Sequence, residues 1–207
     1  MSDRKRVLVT GFGPFRANGV DVNINASGEA VKRLDIQKLE RKLNINLRTR
    51  VVPVEYKVID EFIPKLWKKF QPHLTIHVGL GICEGFKIEK MARKATYELG
   101  DSTAVCPADA MNPCEGPQCL ATDLDVDLIC KELNCTLIQT TFKAHVSDDA
   151  GNYLCEYIYY TSLSQQLDDC KNSLFIHVPY LECPKAIQII AEGLEHIVET
   201  CVNHIRK

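Results

Sequence analysis

Segments with the composition of buried strands alternate with segments of helical periodicity along this chain. Continuous apolar runs bounded by glycine or proline occur at residues 6–12, 47–54, 73–80 and 173–179. Such runs are typical of strands that are buried on both faces. Between them, apolar residues recur at three- and four-residue spacing, most clearly at residues 56–70, where we expect Pro64 to kink a helix, and in a last helix after Pro184. The alternation predicts an α/β fold with a mainly parallel sheet covered by helices on both faces.

The rest of the chain divides into shorter elements and one long loop. Ser27 is the expected cap of the first helix. The other expected elements are a strand within residues 86–95, helices near residues 125–133 and 152–166, and a strand at residues 136–142. Residues 97–122, which contain glycines and prolines throughout, are predicted to form an irregular loop. The chain has 207 residues and no linker or internal repeat, so we expect one domain at residues 1–207.

The charge balance argues against nucleic-acid and membrane partners. Lysine and arginine number 25 against 27 aspartates and glutamates, so the formal net charge is −2. A partner rich in phosphate or anionic head groups needs a basic stripe, and the sequence has none. No stretch approaches the ~18 apolar residues of a membrane span, and the apolar run after Arg6 is too short for a signal peptide. We therefore expect a cytoplasmic protein whose ten cysteines are reduced thiols.

Two familiar ligand-binding patterns are incomplete here. Thr10-Gly-Phe-Gly13 follows the first strand, as in dinucleotide-binding proteins, and Asp35 lies where a ribose-binding acid is expected, but Arg16 occupies the position of the third glycine. A zinc site needs closely paired ligands, yet no Cys-x2-Cys pair occurs among the cysteines at positions 106, 114, 119, 130 and 135. The sequence favours neither a nucleotide nor a metal.

The carboxyl ends of the predicted strands are the expected location of a site, as in other open α/β sheets. These ends are the stretches after Thr10, Val78, Lys143 and Ile176. Phe12 and Phe15 follow the first strand and belong to no helical stripe. They fit the apolar wall of a small-ligand pocket and core packing equally well.

Cys155 is the strongest candidate nucleophile. It lies in Ser147-Asp-Asp-Ala-Gly-Asn-Tyr-Leu-Cys155, where a polar turn opens a helix and places the thiol near its first turn. The unpaired backbone N–H groups and the dipole at a helix N-terminus favour the thiolate form of a cysteine. The same N–H groups can stabilise an oxyanion. The alternative is an inert cysteine in the core.

A histidine and an acid can complete this site. His177 lies near the end of the strand at residues 173–179, one crossover from the helix with Cys155, so a cysteine–histidine pair is geometrically reachable. A hydrogen-bonded core histidine is the alternative. An acid would hold the imidazole in its productive tautomer, and Glu89 is the preferred candidate, with Glu84 and Asp148 as competitors by position.

Four segments occur in a fixed order along the chain. They are Thr10-Gly-Phe-Gly-Pro-Phe15, Val78-Gly79 with Ile88-Glu89-Lys90, Asp149-Ala-Gly-Asn-Tyr-Leu-Cys155, and Phe175-Ile-His-Val-Pro-Tyr180. Together they resemble the signature segments of the cytosolic pyroglutamyl peptidases, a family of cysteine exopeptidases. The resemblance includes the intervening helices, covers nearly the whole chain and is closest to the animal branch of the family.

The resemblance implies a role for each candidate residue. Cys155 is the implied nucleophile, His177 the general base and acid, and Glu89 the acid that orients His177. The implied substrate-binding residues, with the phenylalanines as walls for the pyroglutamyl ring, are Phe12, Phe15, Leu80 and Leu154.

The resemblance also implies a fold and a reaction. The implied fold is a single-domain, three-layer α/β/α sandwich with a mainly parallel, mixed sheet. The implied reaction is the hydrolytic removal of an N-terminal pyroglutamyl (5-oxoproline) residue from small peptides, without metal or cofactor, by a monomer or small homo-oligomer.

Two other functions fit the same residues. A family member with weak or no activity would act as a binding protein for peptide N-termini or pyroglutamate-like ligands. A thiol hydrolase for another small amide or ester would keep the Cys155–His177 pair and change the pocket. Hydrolysis of a pyroglutamyl amide distinguishes these functions from the peptidase.

Overall fold

Strands and helices alternate as the sequence predicts. The computed structural model describes residues 4–137, 140–166 and 172–205. The strands are β1 (Lys5–Phe12), β2 (Phe15–Ala17), β3 (Val20–Val22), β4 (Ile45–Val52), β5 (Leu74–Gly81), β6 (Phe86–Glu89), β7 (Met91–Arg93), β8 (Cys119–Ala121), β9 (Ala144–Ser147) and β10 (Ser173–Pro179). The helices are α1 (Ala26–Lys32), α2 (Ile36–Leu43), α3 (Tyr56–Phe70), α4 (Val126–Thr136), α5 (Leu154–Ser164) and α6 (Pro184–His204), and Ala108–Ala110 form a short 3-10 turn.

Six of the strands form the central sheet, in the order β4-β1-β5-β10-β6-β9. β4, β1, β5 and β10 are parallel to one another. β6 pairs antiparallel with β10 and parallel with β9, so these two strands run against the other four. The predicted α/β fold with a mainly parallel, mixed sheet is confirmed.

Helices cover both faces of this sheet. α1, α2, α4 and α6 enclose one apolar core, to which β10 contributes Leu174, Ile176 and Val178. α3 and α5 enclose the other core, to which β10 contributes Phe175. Successive residues of a strand point to opposite faces, and β10 is therefore buried along its whole length. Within the described ranges, no helix is long and apolar enough to cross a membrane.

The prediction of a strand at residues 136–142 is wrong. α4 continues to Thr136, the edge strand β9 begins only at Ala144, and positions 138 and 139 lie outside the described residues. The Asn134 side chain donates to the Ala144 carbonyl at 2.9 Å and accepts from its N–H at 2.8 Å, which fixes the start of the strand. There Ala144 pairs with Phe86, the first residue of β6. The available pairing partner, rather than local composition, sets the position of this strand.

Two other boundaries also differ from expectation. Asn25 caps α1 in place of Ser27, whose hydroxyl instead accepts a hydrogen bond from the Phe12 N–H at 3.0 Å. The expected strand within residues 86–95 is split at Lys90, because β6 pairs in the central sheet while β7 pairs with β8. β8 lies inside the predicted loop at residues 97–122. Its pairing with β7 attaches the end of this loop to the rest of the fold.

α1 packs on β1 through direct backbone contact. A Cβ atom at Gly28 would lie 2.2 Å from the Phe12 carbonyl oxygen, and one at Gly11 would lie 2.5 Å from the Ser27 carbonyl oxygen. Both distances are far shorter than van der Waals contact, so only glycine permits this approach. The contact fixes the end of β1 against the first turn of α1.

We predict that Gly28→Ala destabilises the protein by about 1–3 kcal/mol because the new methyl group must displace backbone. Helix propensity alone would make the same change stabilising by up to about 1 kcal/mol. The sign of the change in the free energy of unfolding, measured by chemical denaturation, therefore isolates the packing effect. Gly13→Ala is the control, since its Cβ would meet only Val51 Cγ1 at 3.6 Å and the Val52 carbonyl oxygen at 3.9 Å. A Gly28→Ala protein at least as stable as the wild type would contradict the close approach.

Candidate active site

The register of three strands brings a histidine, a glutamate and a glycine together on the face that α5 covers. His177 of β10 lies opposite Gly79 of β5, and Phe175 lies opposite Glu89 of β6. Alternate residues of a strand share a face, so His177 and Glu89 are diagonal neighbours on one side of the sheet. The antiparallel pairing of β6 with β10 is what sets this diagonal.

A buried carboxylate holds the imidazole of His177. His177 Nδ1 lies 2.8 Å from Glu89 Oε1. Glu89 is fully buried and only 7% of His177 is exposed. A carboxylate at this distance fixes the proton on Nδ1 and leaves Nε2 for another partner. The competing acids, Glu84 and Asp148, are exposed at the surface, so Glu89 is the acid that contacts the histidine.

Cys155 reaches His177 above a glycine of the sheet. It is the second residue of α5, and a Cβ atom at Gly79 would lie 2.7 Å from its Sγ. The missing side chain therefore makes room for the thiol directly beside His177, the partner of Gly79 in the strand register. Cys155 is close enough to His177 to act on the pKa of its imidazole. Because Glu89 occupies Nδ1, Nε2 is the ring nitrogen left for Cys155.

The surroundings of His177 favour its protonated form. Burial alone lowers its pKa, but the interactions with Cys155 and Glu89 outweigh burial and raise the pKa to about 9. An imidazolium held beside a cysteine stabilises the thiolate, which is the nucleophilic form of the residue. The arrangement can perform nucleophilic attack followed by proton transfer.

A second histidine, on β5, connects the central sheet to α5. His77 is fully buried, with Nδ1 2.6 Å from Thr10 Oγ1 and Nε2 2.7 Å from Ser162 Oγ of α5. Burial lowers its pKa to about 3, so this imidazole is neutral. It links the helix that carries Cys155 to β1 and β5 without contributing a charge.

Arg93 of β7 fixes the turn that leads into α5. Its Nη2 donates to Asp149 Oδ1 and to the Gly151 carbonyl oxygen, the latter at 3.0 Å. Its Nε donates to Glu156 Oε1 at 3.0 Å. One guanidinium therefore binds groups on both sides of Cys155. Gly151 has a φ of +89°, which suits glycine in such a turn.

Arg93 stabilises the charged form of Glu156. The carboxylate is buried, and Oε2 has no hydrogen-bond partner. Burial raises the pKa of Glu156 to about 7, although the neighbouring Arg93 acts to lower it. Sequence analysis missed this pair because its members lie on separate elements, and no motif spacing links β7 to α5.

A small apolar pocket lies beside Cys155. All four side chains expected to bind substrate line it, namely Phe12, Phe15, Leu80 and Leu154. Asn25, Val54 and Tyr153 complete its wall. Of these three, only Tyr153 could be found from the sequence, since it directly precedes the helix that carries Cys155. Asn25 holds the pocket loop by donating from Nδ2 to the Gly13 carbonyl oxygen at 2.9 Å.

Structural roles account for the residues that resemble a dinucleotide site. Gly11 allows the close approach of α1 described above. Asp35 caps α2 by accepting from the Lys38 N–H at 2.9 Å. The similarity to a nucleotide-binding motif therefore reflects helix packing and capping.

Comparisons with known proteins agree with this geometry. A family model described as pyroglutamyl peptidase matches residues 5–205. Human pyroglutamyl-peptidase 1 is 36% identical over 197 residues, which covers 95% of this chain and 89% of the human protein. The pyrrolidone-carboxylate peptidase of Pyrococcus furiosus is 31% identical over 180 residues, covering 85% of this chain and 81% of that protein.

A solved structure shows the same fold. The crystal structure of pyroglutamyl peptidase I from Bacillus amyloliquefaciens superimposes with a TM-score of 0.79 at 26% identity, covering 97% of this chain and 98% of that one. The sequence match over nearly the whole chain and the shared fold lead to one conclusion. This chain belongs to the pyroglutamyl peptidase family.

Proposed function

We propose that this protein is a cysteine exopeptidase that removes an N-terminal pyroglutamyl residue from peptides. The observation that carries the proposal is the arrangement of Glu89, His177 and Cys155 beside a small apolar pocket. Membership in the pyroglutamyl peptidase family supports the same reaction and substrate class.

Cys155 starts the proposed reaction. Its thiolate attacks the carbonyl carbon of the pyroglutamyl residue, and the C–O π electrons move to the oxygen. When the tetrahedral intermediate collapses, the C–N bond breaks and the His177 imidazolium gives its proton to the leaving amine. The product is a pyroglutamyl thioester on Cys155. Water then attacks the thioester carbonyl carbon while His177 takes a proton from it. The C–S bond breaks, which releases pyroglutamate and restores the Cys155 thiolate beside the His177 imidazolium.

Glu89 acts on this reaction through His177. It accepts a hydrogen bond from the Nδ1–H of the imidazole, so that Nε2 faces Cys155 in both steps. It also stabilises the imidazolium that forms whenever the thiol is ionised. Glu89 is therefore a positioning residue that touches neither substrate nor thiol.

The first turn of α5 is suited to the oxyanion. Tyr153 precedes the helix and makes no side-chain capping bond, so the first N–H groups of the helix are not capped from there. The N–H of Cys155 lies at the nucleophile itself, where the carbonyl oxygen of a bound substrate becomes charged. We assign it as one oxyanion donor.

The pocket matches the chemistry of the pyroglutamyl ring. A five-membered lactam is small and neutral, so its recognition needs apolar walls and few polar groups. Phe12, Phe15, Leu80 and Leu154 supply those walls. No charged side chain is among the residues that line the pocket.

The decisive experiment is hydrolysis of pyroglutamyl-7-amino-4-methylcoumarin by the purified protein. Cys155→Ala and His177→Ala should each lower kcat by about 10³-fold or more, as for other nucleophile–base pairs. Cys135→Ala, which changes an exposed thiol on α4, should keep wild-type activity.

A folded wild-type protein that binds pyroglutamyl peptides without releasing coumarin would overturn the peptidase and leave the binding protein. Release from acetyl amides in place of pyroglutamyl amides would indicate a different thiol hydrolase.

The pH dependence of kcat/KM should follow His177. Below a pKa of about 9 the imidazolium carries the proton that the leaving amine needs, and above it this proton is lost. The rate should therefore fall on the alkaline side near pH 9. Glu89→Gln removes a charge and a hydrogen bond that raise the pKa of His177, so this alkaline limb should move to lower pH. An alkaline limb at the same pH in both proteins would contradict the assigned contact.

Arg93→Met should leave Glu156 as a buried, unpaired carboxylate. We expect the free energy of unfolding at pH 8 to fall by about 1–3 kcal/mol, with a lower kcat because the turn before Cys155 loses its anchor. The double variant Arg93→Met/Glu156→Gln should recover part of the stability, since no charge is then left unpaired. Arg33→Met is the control, as Arg33 is half-buried and donates to the Pro184 carbonyl oxygen at 2.6 Å, far from the turn before Cys155 in sequence. A double variant less stable than Arg93→Met would contradict this explanation.

A further inference from the structure

The large exposed apolar side chains are concentrated at one edge of the sheet. Among the described residues there are six, with exposures from 40% to 103%: Val20, Ile24, Ile82, Leu99, Val105 and Tyr180. Val20 begins β3, and the other five lie in loops at the edge where β1, β4, β5 and β10 end, which is the edge of Cys155 and His177. Scattered exposed apolar residues are ordinary, but their concentration around a site indicates a surface for binding.

A cleft at this edge separates the β2–β3 hairpin from the loop at residues 100–106. Its volume is about 700 Å³, within the range of ligand sites. One wall is formed by residues 16–21, including Val20, and the other by residues 100–102, 104 and 106. The Asn18 side chain crosses the cleft and donates to the Gly100 carbonyl oxygen at 2.9 Å.

This cleft lies next to the pocket beside Cys155. Phe15 lines the pocket and its neighbour Arg16 lines the cleft. Tyr153 lines the pocket, and its hydroxyl donates to the same Gly100 carbonyl oxygen at 3.1 Å. The pocket and the cleft are therefore adjacent compartments, separated by β2 and the Tyr153 ring.

The charged groups that line the cleft already have partners. Arg16 and Asp21 form an ion pair with each other across the hairpin. The Asp101 carboxylate accepts hydrogen bonds from the N–H groups of Tyr56, Thr103 and Val105. A ligand side chain in the cleft thus meets no unpaired charge, and Val20 offers it apolar contact.

We propose that the cleft binds the side chain of the residue that follows pyroglutamate and selects an apolar one. The proposal rests on the function proposed above. When the ring occupies the pocket and its carbonyl lies at Cys155, the next Cα is only about 3.8 Å from the pyroglutamyl Cα. A peptide that leaves the pocket past Tyr153 then meets the adjacent cleft, because Tyr153 lines the pocket and contacts Gly100 of the cleft wall. The preferred substrates are peptides in which leucine, valine or phenylalanine follows pyroglutamate.

The first test compares kcat/KM for four tripeptides that begin with pyroglutamate and continue with Gly, Leu, Asp or Lys. Leucine should exceed glycine by about tenfold, the usual selectivity of an apolar site for added methylene groups, while Asp and Lys should show no gain. If none of the four peptides is cleaved, the proposed peptidase fails and the cleft assignment with it. If all four are cleaved equally, only the cleft assignment is overturned.

A matched pair of variants tests whether the cleft is the site that selects the side chain. Val20→Asp places a carboxylate on the cleft wall and should lower the preference for leucine over lysine by about tenfold. Ile82→Asp places the same charge on a fully exposed residue of the β5–β6 loop that does not line the cleft, and should leave the preference unchanged. Both positions are exposed, so folding is not at risk. Equal effects of the two variants, or no effect of Val20→Asp, would overturn the assignment.

Cys106, an exposed thiol that lines the cleft, gives a readout that does not depend on turnover. In Cys155→Ala protein, a saturating pyroglutamyl-leucyl peptide should slow alkylation of Cys106 several-fold, followed by mass spectrometry. Alkylation of Cys135, exposed on α4, should not change. Pyroglutamate alone fills only the pocket and should not protect Cys106. Unprotected Cys106 in the presence of bound peptide would overturn the proposal.

Discussion

The hydrogen bond between Glu89 and His177 is the interaction on which the site depends. It joins two strands that pair antiparallel in the central sheet, β6 and β10, and its Nδ1–Oε1 distance is 2.8 Å. A shift of this register by one residue would turn Glu89 to the opposite face of the sheet and remove it from His177. Burial of the carboxylate makes the contact costly to break, since no water replaces the imidazole. The reversed strand is thus a functional feature of the fold.

Two histidines on the same face of the sheet show how the surroundings decide protonation. His77 lies between the hydroxyls of Thr10 and Ser162, and burial keeps it neutral. His177 lies between a carboxylate and a cysteine, and these neighbours reverse the effect of burial. The first histidine holds α5 in place, and the second is the acid and base of the proposed reaction. Gly79 completes the arrangement by leaving room for Sγ.

Local sequence patterns predicted most of this fold because the elements concerned are strongly periodic or strongly apolar. The strands that became β1, β5 and β10, and the helices α3 and α6, were all expected close to their observed positions. β9 was misplaced because a four-residue edge strand forms where its partner is available. The choice among Glu89, Glu84 and Asp148 was open on the residues alone, since strand register cannot be read from composition.

The same limit applies to the site. Cys155 was identifiable from a turn that opens a helix, and His177 from its place near a strand end. Arg93 and Glu156 were not identifiable, because their contact joins segments that are 63 positions apart. The cleft between the hairpin and residues 100–106 was hidden for a related reason, since it exists only once two loops are folded against Tyr153. Local sequence patterns thus do not reveal features that depend on contacts between distant segments.

The central claim is that His177, held by Glu89, keeps Cys155 as a reactive thiolate. The most direct measurement is the rate at which iodoacetamide alkylates each cysteine at pH 6, resolved by peptide mass spectrometry. Cys155 should react at least about tenfold faster than the exposed Cys135, because only a thiolate is nucleophilic and an unassisted thiol is protonated at this pH. In His177→Ala this advantage should disappear. Equal rates at Cys155 and Cys135 in the wild type, or an advantage that persists without His177, would contradict the account.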